Sequence, residues 1–233
     1  MDSSSPRYAS LLMGLAALLM PFFITLSVVN IFCSEAFVRF EYSRPGFPPA
    51  ERFSPQDRLY NSVQTVHYVR GDISLKDLEN LGVYNDREIK HLVDVRNVWN
   101  SVMTFQIVAG ILIILDLIVL SRSAATRLWA ARSLIYGGVL TLVVIAGIGL
   151  FAVFAFDQFF VTFHHIFFEG NSWLFEYTDS LIQFYPEPFW EAVSYGIASS
   201  VALGGILISA LGWLWQRSLY RRAAVAVEAP AAP

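Results

Sequence analysis

The chain has 233 residues, a formal net charge of −3 and a mean hydropathy of +0.51, with 55% hydrophobic but only 15% charged residues. A soluble domain carries roughly a quarter charged residues, so the composition excludes an ordinary soluble domain and favours a membrane protein. The single cysteine excludes an intramolecular disulfide and two-cysteine thiol chemistry.

Four apolar runs predict transmembrane helices: residues 8–32, 98–120, 133–156 and 193–215. None of them contains Lys or Arg, and each exceeds the roughly 20 residues that an α-helix needs to cross a bilayer. We therefore predict an all-α membrane protein, a four-transmembrane-helix bundle in a single domain of residues 1–222, with two outer-face loops that contain short helices.

The arginine distribution predicts how the bundle is oriented. No Lys or Arg occurs between Arg132 and Arg217, whereas the loop 121–132 carries three arginines and the segment after the fourth run carries three more. Short cytoplasmic loops are enriched in Lys and Arg. Both termini are therefore expected in the cytoplasm, and residues 33–97 and 157–192 on the outer face.

Neither Cys33 nor the C-terminal segment 223–233 is predicted to have a catalytic role. Cys33 follows the first apolar run, as the modified cysteine of a lipoprotein signal would, but Ile31 and Phe32 are bulky where a processing site needs small residues. The first run is therefore predicted to be a retained helix and Cys33 an interfacial residue. The Ala- and Pro-rich residues 223–233 are expected to form a disordered cytoplasmic tail.

The first outer segment contains local signals for helices. Ser54 followed by Pro55 predicts a helix start, and the helix is expected to end near Gly71. Ser74 marks a weaker second start. The segment is therefore expected to be partly folded.

A longer helix is predicted to enter the second apolar run. Asn85 followed by Glu88 is a capping-box pattern, and neither proline nor glycine occurs from there to Gly110. His91 then lies about 10 Å before the apolar stretch at 1.5 Å per residue. Asp94 is three residues further along the same stripe of the helix.

The second outer segment combines aromatic residues with histidines. Residues 158–168 hold five phenylalanines and two histidines and are too short to span a bilayer, so we predict an interfacial or re-entrant segment. Asp179 then starts a short helical turn. An aromatic membrane belt accounts for the Phe and Trp residues but not for His164, His165 and Asn171.

All four histidines lie in the outer segments, and familiar catalytic motifs such as G-x-S-x-G, H-E-x-x-H, Walker A and G-x-G-x-x-G are absent. His67 is interpreted as a surface residue of the first predicted outer helix. His91 and His164 have the chemistry for general acid–base catalysis near pH 7, although structural roles for both stay open. With His165 and a carboxylate they would also suffice for a metal site, which nothing in the spacing demands.

Two blocks of sequence resemble a known family. Residues 88–95, EIKHLVDV, are similar to its E-I-x-H-L-x-D-V signature. Residues 163–190 are similar to its F-H-x-x-F-F-x-x-N-x-W-x-F and D-x-L-I-x-x-x-P-E-x-F blocks. The chain thus resembles the lipoprotein intramolecular transacylase family of four-helix bacterial membrane proteins.

The resemblance implies a reaction at the outer leaflet of the bacterial cytoplasmic membrane. Members move an acyl chain from the diacylglyceryl group of a lipoprotein's N-terminal cysteine to its own α-amino group. The implied partners are that lipoprotein and membrane lipid, with no nucleic acid, no cofactor and no metal. The implied catalytic residues are His91 and His164, whereas His165 falls at a free position of the pattern.

Four further residues are predicted to support the two histidines: Asp94, Asn171, Trp173 and Asp179. Asp94 would orient the ring of His91. Asn171 and the indole N–H of Trp173 would contact the substrate carbonyl, by analogy with oxyanion-hole donors. We also predict that the two histidines approach each other within about the width of a substrate, with room for an acyl ester between them, because both must reach one reacting group.

Three alternatives stay open at this point. One is another outer-face lipid enzyme, such as a metal-assisted hydrolase. A second is a bis-histidine haem or quinone protein, although haem ligands in bundles usually lie within transmembrane helices, where this chain has no histidine. A third is an assembly or scaffold subunit.

Overall fold

The chain is helical in the computed structural model, which describes residues 7–228 and contains no strand within them. The helices are α1 (Arg7–Phe32), α2 (Glu35–Tyr42), α3 (Pro55–Arg70), α4 (Leu75–Glu79), α5 (Asp86–Ser121), α6 (Arg127–Phe154), α7 (Phe156–Phe167), α8 (Ser180–Phe184) and α9 (Glu187–Glu228). Four of them, α1, α5, α6 and α9, are long and apolar enough to cross a membrane. The predicted all-α class with four transmembrane helices is confirmed.

Helix α3 begins and ends where the sequence predicts. The Ser54 side chain accepts a hydrogen bond from the backbone N–H of Asp57, and Pro55 occupies the first turn, where no N–H is needed. Gly71 ends the helix with φ 93°, a left-handed conformation that glycine adopts without strain.

Helix α5 begins with the predicted capping box. The Asn85 N–H donates to Glu88 Oε2 (2.9 Å), and the Glu88 N–H donates to Asn85 Oδ1 (3.0 Å). The helix then continues unbroken from Asp86 to Ser121, which confirms the predicted entry into the second apolar run. Its first turns therefore hold His91 rigidly, ahead of the apolar stretch.

The predicted disorder of the tail from residue 223 is wrong for residues 223–228, because α9 continues to Glu228. These six residues include three alanines, which favour the helix most strongly, and proline first occurs at Pro230. Residues 229–233 of the predicted tail lie outside the described part of the chain.

The described residues form two compact units. The first comprises residues 7–25, 106–147 and 199–228. Its helices approach at glycines: a Cβ on Gly138 would lie 2.5 Å from the carbonyl oxygen of Gly205. Small residues of this kind let helix backbones approach closely in lipid.

Replacing Gly138 by alanine is expected to lower the free energy of unfolding by about 1–3 kcal/mol, because the added methyl group meets backbone that cannot yield. Gly147→Ala is the matched control, since nothing lies within 4 Å of a Cβ at Gly147. Thermal unfolding in detergent measures both. Equal melting temperatures for the two variants would contradict the packing argument.

The second unit comprises residues 26–105 and 148–198. Its hydrophobic core draws on both segments that the sequence places outside the membrane. Phe184 of α8 is fully buried there. The Tyr42 hydroxyl donates to the Phe184 carbonyl (2.7 Å), and the Tyr185 hydroxyl donates to the Ser62 carbonyl (2.6 Å). These contacts fold the two segments into one body, which carries the histidines.

Candidate active site

His91 and His164 lie against each other in the second unit. Both residues are buried, with 8% of His91 and 9% of His164 exposed. The ring centroids are 6.3 Å apart, and the ring planes are inclined by 24°. The predicted approach of the two histidines is therefore confirmed, whereas the predicted room for an acyl ester between them stays a prediction. A substrate group that binds one ring is close enough to interact with the other.

His91 projects from the second turn of α5 into an aromatic pocket. Its ring centroid is 4.8 Å from that of Phe168 and 5.3 Å from that of Phe175. Its Nδ1 is buried and has no hydrogen-bond partner among residues 7–228. Buried polar atoms are nearly always paired, so this nitrogen is unusual among the buried polar atoms of the described chain.

His164 is held in one tautomer by its own helix. Its Nδ1 lies 2.7 Å from the Phe160 carbonyl oxygen, which only accepts, so Nδ1 carries the proton and donates it to that bond. Nε2 is therefore left with a free lone pair. Burial lowers the pKa of His164, because desolvation disfavours the charged ring. The neutral, proton-accepting form is thus favoured near pH 7.

Two further aromatic rings pack against His164. The ring centroid of Phe160 is 4.1 Å away, and that of Trp173 is 4.7 Å away. The Trp173 indole N–H donates to the Gly170 carbonyl oxygen (3.2 Å). In this structure Trp173 therefore contacts His164 through its ring, while its N–H stabilises the turn.

Asp179 ties the loop after α7 to the start of α5. It is 9% exposed and accepts three hydrogen bonds, from Asn85 Nδ2 (2.8 Å), Arg87 Nη2 (2.7 Å) and the Glu176 N–H (2.8 Å). Two of these donors, on Asn85 and Arg87, lie at the start of α5. We call Asp179, Asn85 and Arg87 the carboxylate clamp.

Glu88 adds a second link between the same segments. It is 1% exposed, and its Oε1 accepts from the Leu181 N–H of α8 (2.7 Å) while Oε2 accepts from Asn85. The sequence shows the local cap that Glu88 makes but not its contact with α8. That contact joins residues distant in the chain and leaves no periodic signal.

The clamp connects to His91 through one aromatic ring. The Arg87 guanidinium lies 5.3 Å from the centroid of the Phe175 ring, and that ring packs against His91. Fixing Arg87 through Asp179 therefore fixes the wall of the His91 pocket. Arg87 and Phe175 are not among the residues that the sequence predicts for the site.

Three more residues of the sequence predictions are Asp94, Asn171 and His165. His91 Nδ1 has no hydrogen-bond partner within the described residues, so it makes none with Asp94. Asn171 is exposed in the turn after α7. His165 is also exposed and meets Trp173 edge to face, with centroids 5.4 Å apart. Their predicted roles stay predictions.

His67 and Cys33, for which the sequence predicts no catalytic role, lie in surroundings that agree with that interpretation. His67 lies between carboxylates, with Nδ1 3.0 Å from Asp72 and Nε2 3.2 Å from Glu35. The Cys33 thiol is partly buried, and burial raises its pKa to about 11. Such a thiol is almost wholly protonated near pH 7 and is a poor nucleophile.

A cavity of about 620 Å³ lies elsewhere in the second unit, between α2, the loop that follows it and the start of α9. Neither His91 nor His164 lines it. Across residues 7–228, no three His, Cys, Asp or Glu side chains form a group that could hold a metal ion. The candidate site is therefore the histidine pair with its aromatic walls.

This fold and site define a polytopic helical membrane protein with two buried histidines in proximity, one of which has a ring nitrogen without a hydrogen-bond partner in the described chain. The family model described as lipoprotein intramolecular transacylase Lit matches residues 13–190. The chain belongs to this family, which confirms the resemblance seen in the sequence.

Similar proteins are found both by sequence and by structure. An uncharacterized protein of Aquifex aeolicus (strain VF5) is 28% identical over 193 residues, which cover 80% of this chain and 86% of that protein. The lipoprotein intramolecular transacylase Lit from Bacillus cereus superposes with a TM-score of 0.78 at 18% identity, over 94% of this chain and 99% of that chain.

A form of the Bacillus cereus protein with one histidine replaced by arginine superposes with a TM-score of 0.67 at 15% identity, over 94% of this chain and 95% of that chain. At these identities the structural likeness shows a shared fold. The membrane-integral relatives and the four apolar helices together make this chain a multi-pass membrane protein.

Proposed function

We propose that this chain is a lipoprotein intramolecular transacylase. It moves one acyl chain from the diacylglyceryl group of a lipoprotein's N-terminal cysteine onto the α-amino group of that cysteine. An ester becomes an amide, and a lyso-form lipoprotein results. Family membership supports the reaction class, and the observation that carries the chemistry is the approach of His91 and His164.

The reaction needs one proton removed and one proton supplied. The amine nitrogen forms a bond to the ester carbonyl carbon, the bond from that carbon to the glycerol oxygen breaks, and the amine proton ends on the glycerol oxygen. No water, oxidant or external acyl donor takes part. Two neutral histidines that share one substrate meet this requirement.

The tautomer of His164 favours different chemical roles for the two histidines. Since Nδ1 donates to the Phe160 carbonyl, Nε2 is free to take the proton from the α-amino group. Neutral His91 donates a hydrogen bond to the developing oxyanion. The proton that His164 has taken then passes to the departing glycerol oxygen, so His164 returns to its neutral form and the net proton change is zero.

We further propose that the site faces the outer leaflet. The arginine-free loop 157–192, set against the arginines of the loop 121–132, supports cytoplasmic termini and an outer active site. Lipoproteins anchored in that leaflet would then present their ester groups at the height of the histidines.

Mass spectrometry of a reaction with purified protein tests the proposal. Reconstituted protein should convert a synthetic diacylglyceryl lipopeptide into an isomer of unchanged mass, whose fragments place one acyl group on the amino terminus. A hydrolase would instead release a fatty acid and lower the mass of the lipopeptide. A chelator should leave the rate unchanged. Recovery of the intact starting ester, or inhibition by the chelator, would contradict the proposal.

A further inference from the structure

Helix α7 presents three different faces. At 3.6 residues per turn, Phe160 and His164 share one narrow face, which points into the protein. The polar side of the helix holds Asp157, Gln158, Val161, Thr162 and His165. The remaining sector, about 100° wide, holds Phe156, Phe159, Phe163, Ile166 and Phe167. We call these five residues the apolar face of α7.

Protein does not cover most of the apolar face. Phe163 is 44% exposed, Ile166 is 69% exposed and Phe167 is 40% exposed. Singly exposed apolar residues are common, but a contiguous group of this kind marks an interaction surface. An apolar face opposite a polar one is the pattern of a helix that lies in the plane of a membrane interface.

The chain immediately before α7 indicates what covers this face. Only Ala155 separates α7 from α6, a membrane-spanning helix. The last residues of α6 are themselves exposed and apolar, with Val153 57% and Phe154 82% exposed. Side chains of this kind on a spanning helix contact lipid. α7 therefore begins at the level where the chain leaves the hydrocarbon region.

The apolar face also borders the candidate site. Phe163 has one side exposed, while its ring centroid is 5.5 Å from that of His164 and 4.9 Å from that of Phe167. A hydrocarbon chain that lies along Phe163 and Phe167 would consequently reach His164 without crossing the polar side of α7.

We propose that the apolar face of α7 is embedded among lipid acyl chains and that the substrate's acyl chains reach His164 from this side. The embedding stands on the geometry of α7 alone. The substrate route rests on the proposed function, since it names how the ester enters the site. No Lys or Arg occurs in α7, so apolar contact rather than attraction to anionic headgroups holds the helix in place.

Spin-label accessibility tests the embedding without any need for activity. In a Cys33→Ser background, single cysteines at Phe163 and Ile166, and at Gln158 and Thr162, carry a nitroxide in phosphatidylcholine–phosphatidylglycerol vesicles. Labels at the first pair should collide more with oxygen than with a water-soluble nickel chelate, and labels at the second pair should show the reverse. Equal ratios at all four positions would overturn the embedding. So would low accessibility to both reagents at 163 and 166, which would indicate that protein covers the face.

A charge placed on either side of α7 tests the route. Ile166→Glu should lower kcat/KM for the lipopeptide by roughly tenfold, mainly through KM, because the charge obstructs the apolar approach but leaves the acid–base groups in place. Thr162→Glu, with the same charge on the polar side, should stay within about twofold of wild type. Similar losses in both variants, or none in Ile166→Glu, would overturn the route. If wild-type protein forms no isomer, the proposed function fails while the label result still decides the embedding.

Discussion

Replacing either His91 or His164 by alanine is expected to reduce transacylation by about 10²–10⁴-fold, the usual effect of removing a positioned acid–base group. Each ring supplies a step that the other cannot supply in the same event, so the double variant should be little slower than either single one. Rates of isomer formation from the lipopeptide, followed by mass spectrometry, measure the effect.

The remaining histidines provide matched controls. His67→Ala removes partly exposed pairs with Glu35 and Asp72, and ion pairs open to solvent contribute little to stability. Its rate should stay within about twofold of wild type, and the loss in His165→Ala should be much smaller than in the two principal variants. Thermal unfolding in detergent separates a lost proton carrier from a misfolded protein. Near-normal rates in folded His91→Ala and His164→Ala would show that the histidine mechanism is wrong.

The second large effect is expected at the carboxylate clamp. Asp179→Asn places an amide N–H against donors on Asn85 and Arg87 that now find a carboxylate oxygen. One donor loses its partner, which costs about 1–3 kcal/mol for a buried group. The wall of the His91 pocket formed by Phe175 is then free to move. A displacement of about 1 Å at a reacting group costs about 10²-fold in rate.

A positioning role makes a specific kinetic prediction for Asp179→Asn. kcat should fall even where the variant stays fully folded, because Asp179 is linked to His91 through Arg87 and Phe175. Asp77→Asn is the matched control: Asp77 also accepts at a helix start, but from Ser74 of its own cap and at an exposed position. If both variants keep wild-type kcat, the clamp has no part in positioning the site.

Much of the secondary structure follows from short stretches of sequence. The start of α3 at Ser54 and Pro55, and its end at Gly71, depend on hydrogen bonds and backbone angles within a few residues. The same holds for the cap of α5 at Asn85 and Glu88. The local composition gave a wrong prediction at the C-terminal end of the described chain. The Ala-rich residues 223–228 suit a helix as well as a disordered tail, and they continue α9.

The partners of the site residues required the folded chain. Asp179 was predicted as a supporting residue and a helix start, yet its side chain makes no capping bond to α8 and binds Asn85 and Arg87 instead. Trp173 was predicted to offer its N–H to substrate, whereas that N–H binds the Gly170 carbonyl oxygen. A sequence shows which donors and acceptors exist, but which of them pair depends on packing between distant segments.

The sequence by itself determined that this is a four-helix membrane protein whose histidines all lie outside the apolar runs. Bilayer thickness fixes the length of a spanning helix. Because a charged side chain in lipid is costly, spanning helices appear in the sequence as long runs almost free of charged residues. Only the tertiary structure decided that His91 and His164 lie 6.3 Å apart with one tautomer fixed and one nitrogen unpaired. Those features arise because the buried core around Phe184 draws two separate segments together, and no local pattern encodes that contact.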